Sequence, residues 1–427
     1  MISKRAIWML VGVDFFARVS YGLARTPVLP LYAAFLGAGP EMIGIIGAAA
    51  TITGIVLKLP AGTLSDIIGR RPMLLFGLLV FATGPLLILL AESGWGLAGI
   101  RFYHGLATAV YGPVAMAAVA SLAGDRRGEY LSWLSNTKIL GKLLGAFLGG
   151  LLLAAGALEI RGGLFGAEPD GAGPASSEFR RAFLVSALLG AIALVPGLFA
   201  LQGVGDAPHR EGSNQGKVWR KLRTGVKEVS SDIRVLLASG CEGIQNLTVG
   251  IIEHFLPLYA VFIAGHTPFQ ACLLYASQAI TTIVAKPLFG RWSDRRGRRG
   301  VIILGMFACA APFAAIPWVV DFQGLLWLCL VFGLGEALVT SSSAALVTDL
   351  CRRRSFGAAM GVFGTIKDTG HASGPILGGG LIAVFQGVDA GPGLASSPSA
   401  FQLAFGIVAT ILALYAVLFM AVARGNG

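Results

Sequence analysis

Charge is scarce in this sequence. Asp, Glu, Lys and Arg make up 13% of its 427 residues, whereas 55% are hydrophobic. That balance excludes a string of soluble domains, although the length alone would allow two or three. Several motifs are missing as well. There is no GxxxxGK followed by Ser or Thr, so the chain carries no phosphate loop and no ATPase of its own. No HExxH and no clustered His/Cys set points to a metal. The five cysteines, at 241, 272, 309, 329 and 351, form neither a CxxC pair nor a disulfide framework. No cofactor is expected, and no nucleophile–base pair stands out that would make the chain an enzyme.

What is present is a series of apolar stretches of about 20 residues, the length an α-helix needs to cross a bilayer of about 30 Å. Twelve fall near 7–31, 40–61, 72–91, 96–122, 130–156, 180–202, 235–262, 268–290, 300–320, 324–348, 356–386 and 400–423. Lys4 and Arg5 before the first stretch resemble the start of a signal peptide. A counterpart of that stretch later in the chain makes it a structural helix instead.

The net charge of +11 would suit nucleic acid if it covered a folded soluble face, and this chain has none. Its distribution suits a membrane. With the N-terminus placed in the cytoplasm, the external loops hold only Arg161, Arg180 and Arg181 out of 33 Lys and Arg. The positive-inside rule then predicts that both termini are cytoplasmic, in a multi-pass protein of the inner membrane.

The chain repeats itself. GTLSDIIGRR at 62–71 returns as GRWSDRRGRR at 290–299, an offset of 228. At the same offset Asp14 matches Glu242, Gly105 matches Gly333 and Lys58 matches Lys286. PLYAAFLGAGP at 30–40 returns as PLYAVFIAGHTP at 257–268, and TKILGKLLGAFLGG at 137–150 as IKDTGHASGPILGG at 366–379. The expected fold is therefore an all-α integral membrane protein, with twelve transmembrane helices in two pseudo-symmetric six-helix bundles. The bundles are expected at 1–202 and 235–427. The link at 203–234 sets Val218, Leu222, Val226, Val229 and Ile233 at helical spacing among Arg220, Lys221, Arg223 and Lys227. It reads either as an amphipathic helix on the anionic inner leaflet or as a solvated linker.

These features resemble the major facilitator superfamily of twelve-helix transporters, over nearly the whole chain. GTLSDIIGRRPML at 62–74 is similar to the family's signature between helices 2 and 3, and GRWSDRRGRRG at 290–300 to its weaker copy between helices 8 and 9. Arg101 with Gly105 resembles the helix-4 signature. The resemblance implies a cytoplasmic gating latch built from Gly62, Asp66, Gly69, Arg70 and Arg71, with Asp125 as partner. Gly290, Asp294, Gly297 and Arg298 would serve the second half. Helix 5 carries Gly141, Gly145, Gly149 and Gly150, and helix 11 carries Gly370, Gly374, Pro375, Gly378 and Gly379. Small residues four apart let helices pack backbone to backbone. The family's proton-antiporter signature has a Gly-Pro step in helix 5, where this chain has Gly145-Ala146 and places Gly374-Pro375 in helix 11 instead.

Charges inside the spans are the sharpest functional signal, because each costs about 2.5–3.5 kcal/mol at a helix centre and must line a cavity or be paired. Asp14 and Arg18 stand one turn apart and can pair along one face. Arg25 and Glu253 occupy matching positions with opposite signs, and read either as an outer ion pair or as two water-exposed helix-end charges. Lys367 and Asp368 are adjacent, point about 100° apart, and are not expected to pair with each other. Lys58 and Lys286 are expected to snorkel. Glu336 and Glu253 lead as proton carriers, followed by Asp14 and Asp368; Glu242 completes the intramembrane acids. Lys138, Lys142, Arg18 and Lys367 either draw an anionic solute or simply neutralise those acids.

The resemblance implies a secondary active transporter that works by alternating access. Its expected partners are a small-molecule substrate, protons and the lipid bilayer, in a monomer. Proton-coupled export of small amphipathic molecules is the expected activity. Import or exchange of an organic anion is the alternative, and a transporter-like sensor or scaffold is the reading from another class.

Overall fold

The computed structural model describes residues 2–123, 126–159, 174–200, 232–351, 356–386 and 398–425. Within these ranges, the side chains at 2–5, 59, 62, 63, 66, 67, 127, 155–159, 174–175, 200, 356–357 and 423–425 lie outside the description. So do Asp125, the Asp66 carboxylate and the stripe expected at 218–229.

No strand occurs among the described residues. In lipid a backbone must satisfy its own hydrogen bonds, and within one segment only a helix does so. The long helices are α1 (Ile2–Leu23), α2 (Pro40–Ile68), α3 (Arg70–Ile88), α4 (Gly94–Leu122), α5 (Arg127–Glu159) and α6 (Pro174–Ala200). They continue with α7 (Ile233–Leu258), α8 (Pro268–Arg296), α9 (Arg298–Ala315), α10 (Phe322–Leu350), α11 (Phe356–Gln386) and α12 (Pro398–Gly425). A short helix, Val28–Phe35, extends α1, and a wide turn, Tyr259–Ile263, extends α7 just past Pro257. Among the described residues, 11 helices or helix pairs are long and apolar enough to span a bilayer. The remaining long helix is α11, which holds Lys367, Asp368 and His371.

Caps close several ends. Ser93 accepts from the Gly96 amide at 3.1 Å, Asp232 from the Arg234 amide at 3.0 Å and Asp321 from the Gly324 amide at 2.6 Å. Among the described residues, positive φ occurs at Gly37 (76°), Gly69 (104°), Gly265 (73°) and Gly297 (92°). These form two pairs, each 228 residues apart, so the repeat extends to backbone dihedrals that a Cβ would oppose.

Contacts divide the chain into two compact units, 1–38 with 45–209 and 267–273, and 39–44 with 210–266 and 274–427. Each unit has the same internal packing. In the first, α1 packs on α5 and α6, and α3 on α4 and α6; in the second, α7 packs on α11 and α12, and α9 on α10 and α12. The division differs from the expected one at the start of α2 and of α8. Within the second unit, a Cβ on Gly379 would strike the backbone of Pro40. Within the first, the Cys272 thiol donates to the Ala146 carbonyl at 3.0 Å and Phe269 meets Phe147 edge-on at 5.6 Å.

Aromatic rings fill both cores. Phe81 touches Tyr21 and Tyr111 in the first unit, each at 5.9 Å between centroids, and Phe313 stacks on Phe405 at 4.5 Å in the second. Many large apolar side chains face outward, including Leu90, Trp95, Trp327 and Val384. Such a surface is natural against lipid and a liability in water.

Candidate functional site: buried charge in each unit

The glycine rows place the polar groups. A Cβ on Gly141 of α5 would lie 2.5 Å from the Arg18 Cβ, and one on Gly145 would lie 2.6 Å from the Leu23 amide nitrogen. A Cβ on Gly149 would lie 2.8 Å from a Val28 methyl. Close approach of α5 to α1 brings Thr137 onto Asp14. The Asp14 carboxylate, buried, accepts from Arg18 Nε at 3.2 Å and from the Thr137 hydroxyl at 2.6 Å. The Arg18 guanidinium also stands 5.8 Å from the centre of the Phe81 ring and 6.0 Å from that of Tyr111.

Two further guanidinium groups flank one ring in this unit. Arg25 lies 5.9 Å and Arg101 5.7 Å from the centre of Tyr21. Arg101, fully buried, places Nη1 3.2 Å from His104 Nδ1. Arginine has no acceptor, so this His104 nitrogen accepts and Nε2 carries the ring proton. Lys138 and Lys142 stand one turn apart on α5, on either side of Gly141.

In the second unit α11 approaches α7 through its own row. A Cβ on Gly370 would strike the Gly243 backbone, and one on Gly374 the Leu247 backbone. Pro375 lies in the same seam, its Cδ 2.9 Å from where a Gly250 Cβ would sit. Here Glu242, fully buried, takes three donors: Lys367 Nζ at 3.1 Å, the Ser343 hydroxyl at 2.9 Å and the Asn246 amide at 3.2 Å. Asn246 stands to Glu242 as Arg18 stands to Asp14, one turn on and 228 residues later. Lys367 thus joins Glu242. Toward the other end of α7, Glu253 lies 3.1 Å from His371 Nε2. Glu336 of α10 accepts from the Gln278 amide and, at 3.0 Å, from the Thr282 hydroxyl, both on α8.

At the turns, Arg70 Nη1 donates to the Ser121 hydroxyl at 2.6 Å. Its equivalent, Arg298, pairs with Asp294 at 2.8 Å and with Asp349. Ser121 and Asp349 are themselves 228 residues apart. They lie in the last turns of α4 and α10, and neither was suggested by the turn motif; extending the repeat to the helix ends would have found both.

Of the expected residues, the structure brings Asp14 and Arg18 together, and separately Glu242 and Lys367. Pairing with acids is the arrangement seen for Arg18 and Lys367. Arg25 and Glu253 belong to different units. Thr137, Ser343, Asn246, Gln278 and Thr282 escaped the sequence reading, because neutral polar residues carry no cost signal of their own in a helix.

A helical, multi-pass protein with paired charges inside its spans is the build of a membrane transporter. The sequence pattern of the Major Facilitator Superfamily matches residues 15–277 and 244–426, and the chain belongs to that family. It is 27% identical over 367 residues to multidrug resistance protein MdtH of Salmonella paratyphi C, covering 83% of each chain. It is 24% identical to an uncharacterised MFS-type transporter of Methanocaldococcus jannaschii, over 87% of this chain and 88% of the other. In fold it is similar to the nucleoside transporter NupG, with TM-score 0.77, 13% identity and coverage of 97% and 98%. It also resembles a bacterial homologue of the human lysosomal transporter Spinster, with TM-score 0.77, 16% identity and coverage of 98% and 96%.

Proposed function

We propose that this transporter exports small amphipathic molecules in exchange for protons, by alternating access across the inner membrane, as a monomer with both termini in the cytoplasm. The observation that carries the reading is the set of acids inside the spans. Asp14, Glu242, Glu253 and Glu336 each sit where an unpaired charge would cost several kcal/mol, and each is held by side chains that a change of protonation would rearrange. A structure that only needed to span the membrane has no use for them. Similarity to a multidrug resistance protein over most of the chain supports the substrate class.

Exchange or import of an organic anion is the second reading. It is favoured by Arg25 and Arg101 flanking Tyr21, since guanidinium groups suit carboxylate and phosphate. A thermal-shift screen of the purified protein against lipophilic cations, carboxylates, nucleosides and sugars separates the two by which class stabilises the fold. Uptake into everted vesicles, whose lumen corresponds to the outside of the cell, is the outcome expected for export. Uptake into right-side-out vesicles driven by an inward proton gradient contradicts it. Asp66→Asn separates transport from a sensor or scaffold role: flux is expected to fall with unchanged membrane abundance, and unchanged flux would contradict a transporter's latch.

A further inference from the structure

In the second unit, α7 and α9 begin where α10 and α12 finish, and the four helix ends enclose a cleft. Leu237, Leu346, Leu350 and Phe419 wall it, and Arg234 and Arg299 stand among them. Each arginine is the second residue of its helix, so both lie at the rim. Leu237 and Leu346 lie about a turn deeper. Arg234 keeps 53% of its side-chain surface exposed, and its neighbour Ile233 is 61% exposed. Cation and apolar surface thus meet at one level, where the spans end.

Size and charge decide what such a cleft can take. Its interior is about 20 Å³, room for one or two waters and far below the about 300–1,000 Å³ of a small-molecule site. A solute that must be enclosed does not fit; a ligand lying along the mouth does. Arg234 donates from Nε and Nη2 to Asp232, at 3.2 and 3.1 Å. That spends two of the five N–H groups of a guanidinium and leaves three for an anion. Around the cleft, Arg234, Arg295, Arg296, Arg298 and Arg299 outnumber Asp232, Asp294 and Asp349. The chain's own link is a poor occupant, because its stripe carries Arg220, Lys221, Arg223 and Lys227, which two arginines repel.

We propose that this cleft seats an anionic glycerophospholipid, with its phosphate on Arg234 and Arg299 and one acyl chain along Leu237, Leu346, Leu350 and Phe419. The planar guanidinium matches phosphate oxygens two at a time, and basic clefts between spans suit lipid head groups. Only the leaflet is taken from the orientation proposed above, which makes it the inner one; the seat itself does not depend on that reading. A lipid held there touches four helices at once and stabilises the unit by binding its folded state alone. In the repeat Arg299 corresponds to Arg71, but Arg234 corresponds to Ala6. The pair of arginines therefore belongs to the second unit only.

Thermal unfolding of the purified full chain in detergent, with phosphatidylglycerol or phosphatidylcholine added, tests the proposal. Phosphatidylglycerol is expected to raise the wild-type midpoint by several degrees over phosphatidylcholine; equal midpoints overturn the proposal. The gain is expected to vanish when Arg234→Gln and Arg299→Gln are combined. It is expected to persist when Arg295→Gln and Arg296→Gln are combined, since these remove the same charge beside the cleft and leave its lining intact. A gain kept in the first pair, or lost in both, overturns the proposal, the latter by showing a general attraction to a basic face. Each variant in phosphatidylcholine is its own reference, so stability lost to the substitution itself does not count. Native mass spectrometry of Arg299→Gln alone gives a second reading: a phosphatidylglycerol adduct seen on the wild type is expected to be lost, and one retained in full overturns the assignment. Labelling of Arg296→Cys by an impermeant reagent from outside the cell, with the lipid gain intact, would keep the seat and overturn the cytoplasmic orientation instead.

Discussion

Glu242 and Lys367 share one ion pair unevenly. The acid is fully buried, while the Lys367 side chain keeps 36% of its surface. Lys367→Met therefore strands a charge in the interior and is expected to cost about 3 kcal/mol, the lower end of the range for a broken buried pair. Glu242→Gln leaves an ammonium that can reach water and is expected to cost clearly less. Thermal unfolding in detergent measures both, and equal losses would contradict this division. At the α7 cap, hydrogen bonds from Arg234 hold the Asp232 carboxyl below its ordinary range. A depressed carboxylate stabilises above its unfolded-state value and loses that effect as pH falls through the folded one. Asp232→Ala is thus expected to destabilise at neutral pH, by about 1 kcal/mol, and hardly at all in strong acid. The Asp14–Arg18 pair was legible in the sequence because both residues lie on one helix, a turn apart. Thr137 and Ser343 were not. They reach their acids from 123 and 101 residues away, and only the packing of a second helix brings them there.

At the scale of elements, the glycine rows act as spacers, and their spacing of four was enough to predict close helix packing. The partner helix was not readable, since nothing in GKLLGAFLGG says that it faces α1. Gly145→Leu is expected to cost about 1–3 kcal/mol or more by forcing α5 away from α1. Gly406→Leu, where a Cβ meets nothing within 4 Å, is the control expected to leave the unfolding midpoint unchanged or raised. The two turns invite a comparable test. Arg298 meets a carboxylate on α10, whereas Arg70 meets a hydroxyl on α4. Ser121→Asp gives the first half the acid that the second half has. It is expected to add about 0.2–1 kcal/mol, as an exposed pair does, and to slow solute turnover by steadying the latch. Faster turnover with no gain in stability would contradict the latch reading. Gly69 and Gly297 were legible as turn glycines, and their φ values of 104° and 92° give the reason in backbone terms.

For the whole molecule, the repeat pointed to two halves built alike, and each unit shows the same internal packing; the turn motifs pointed to the family to which the chain belongs. The exchange of 39–44 and 267–273 between units was invisible, because a break in contacts need not follow a break in composition. The solute is invisible for a different reason. One fold serves many solutes, and the residues that choose among them are ordinary polar and aromatic groups. Coupling is the property on which the account stands. The most direct measurement is the luminal pH of everted vesicles carrying the protein, acidified inside and then given a solute that stabilises the fold. The account predicts that the solute alkalinises the lumen. An unchanged lumen in the wild type while the solute still enters would contradict it.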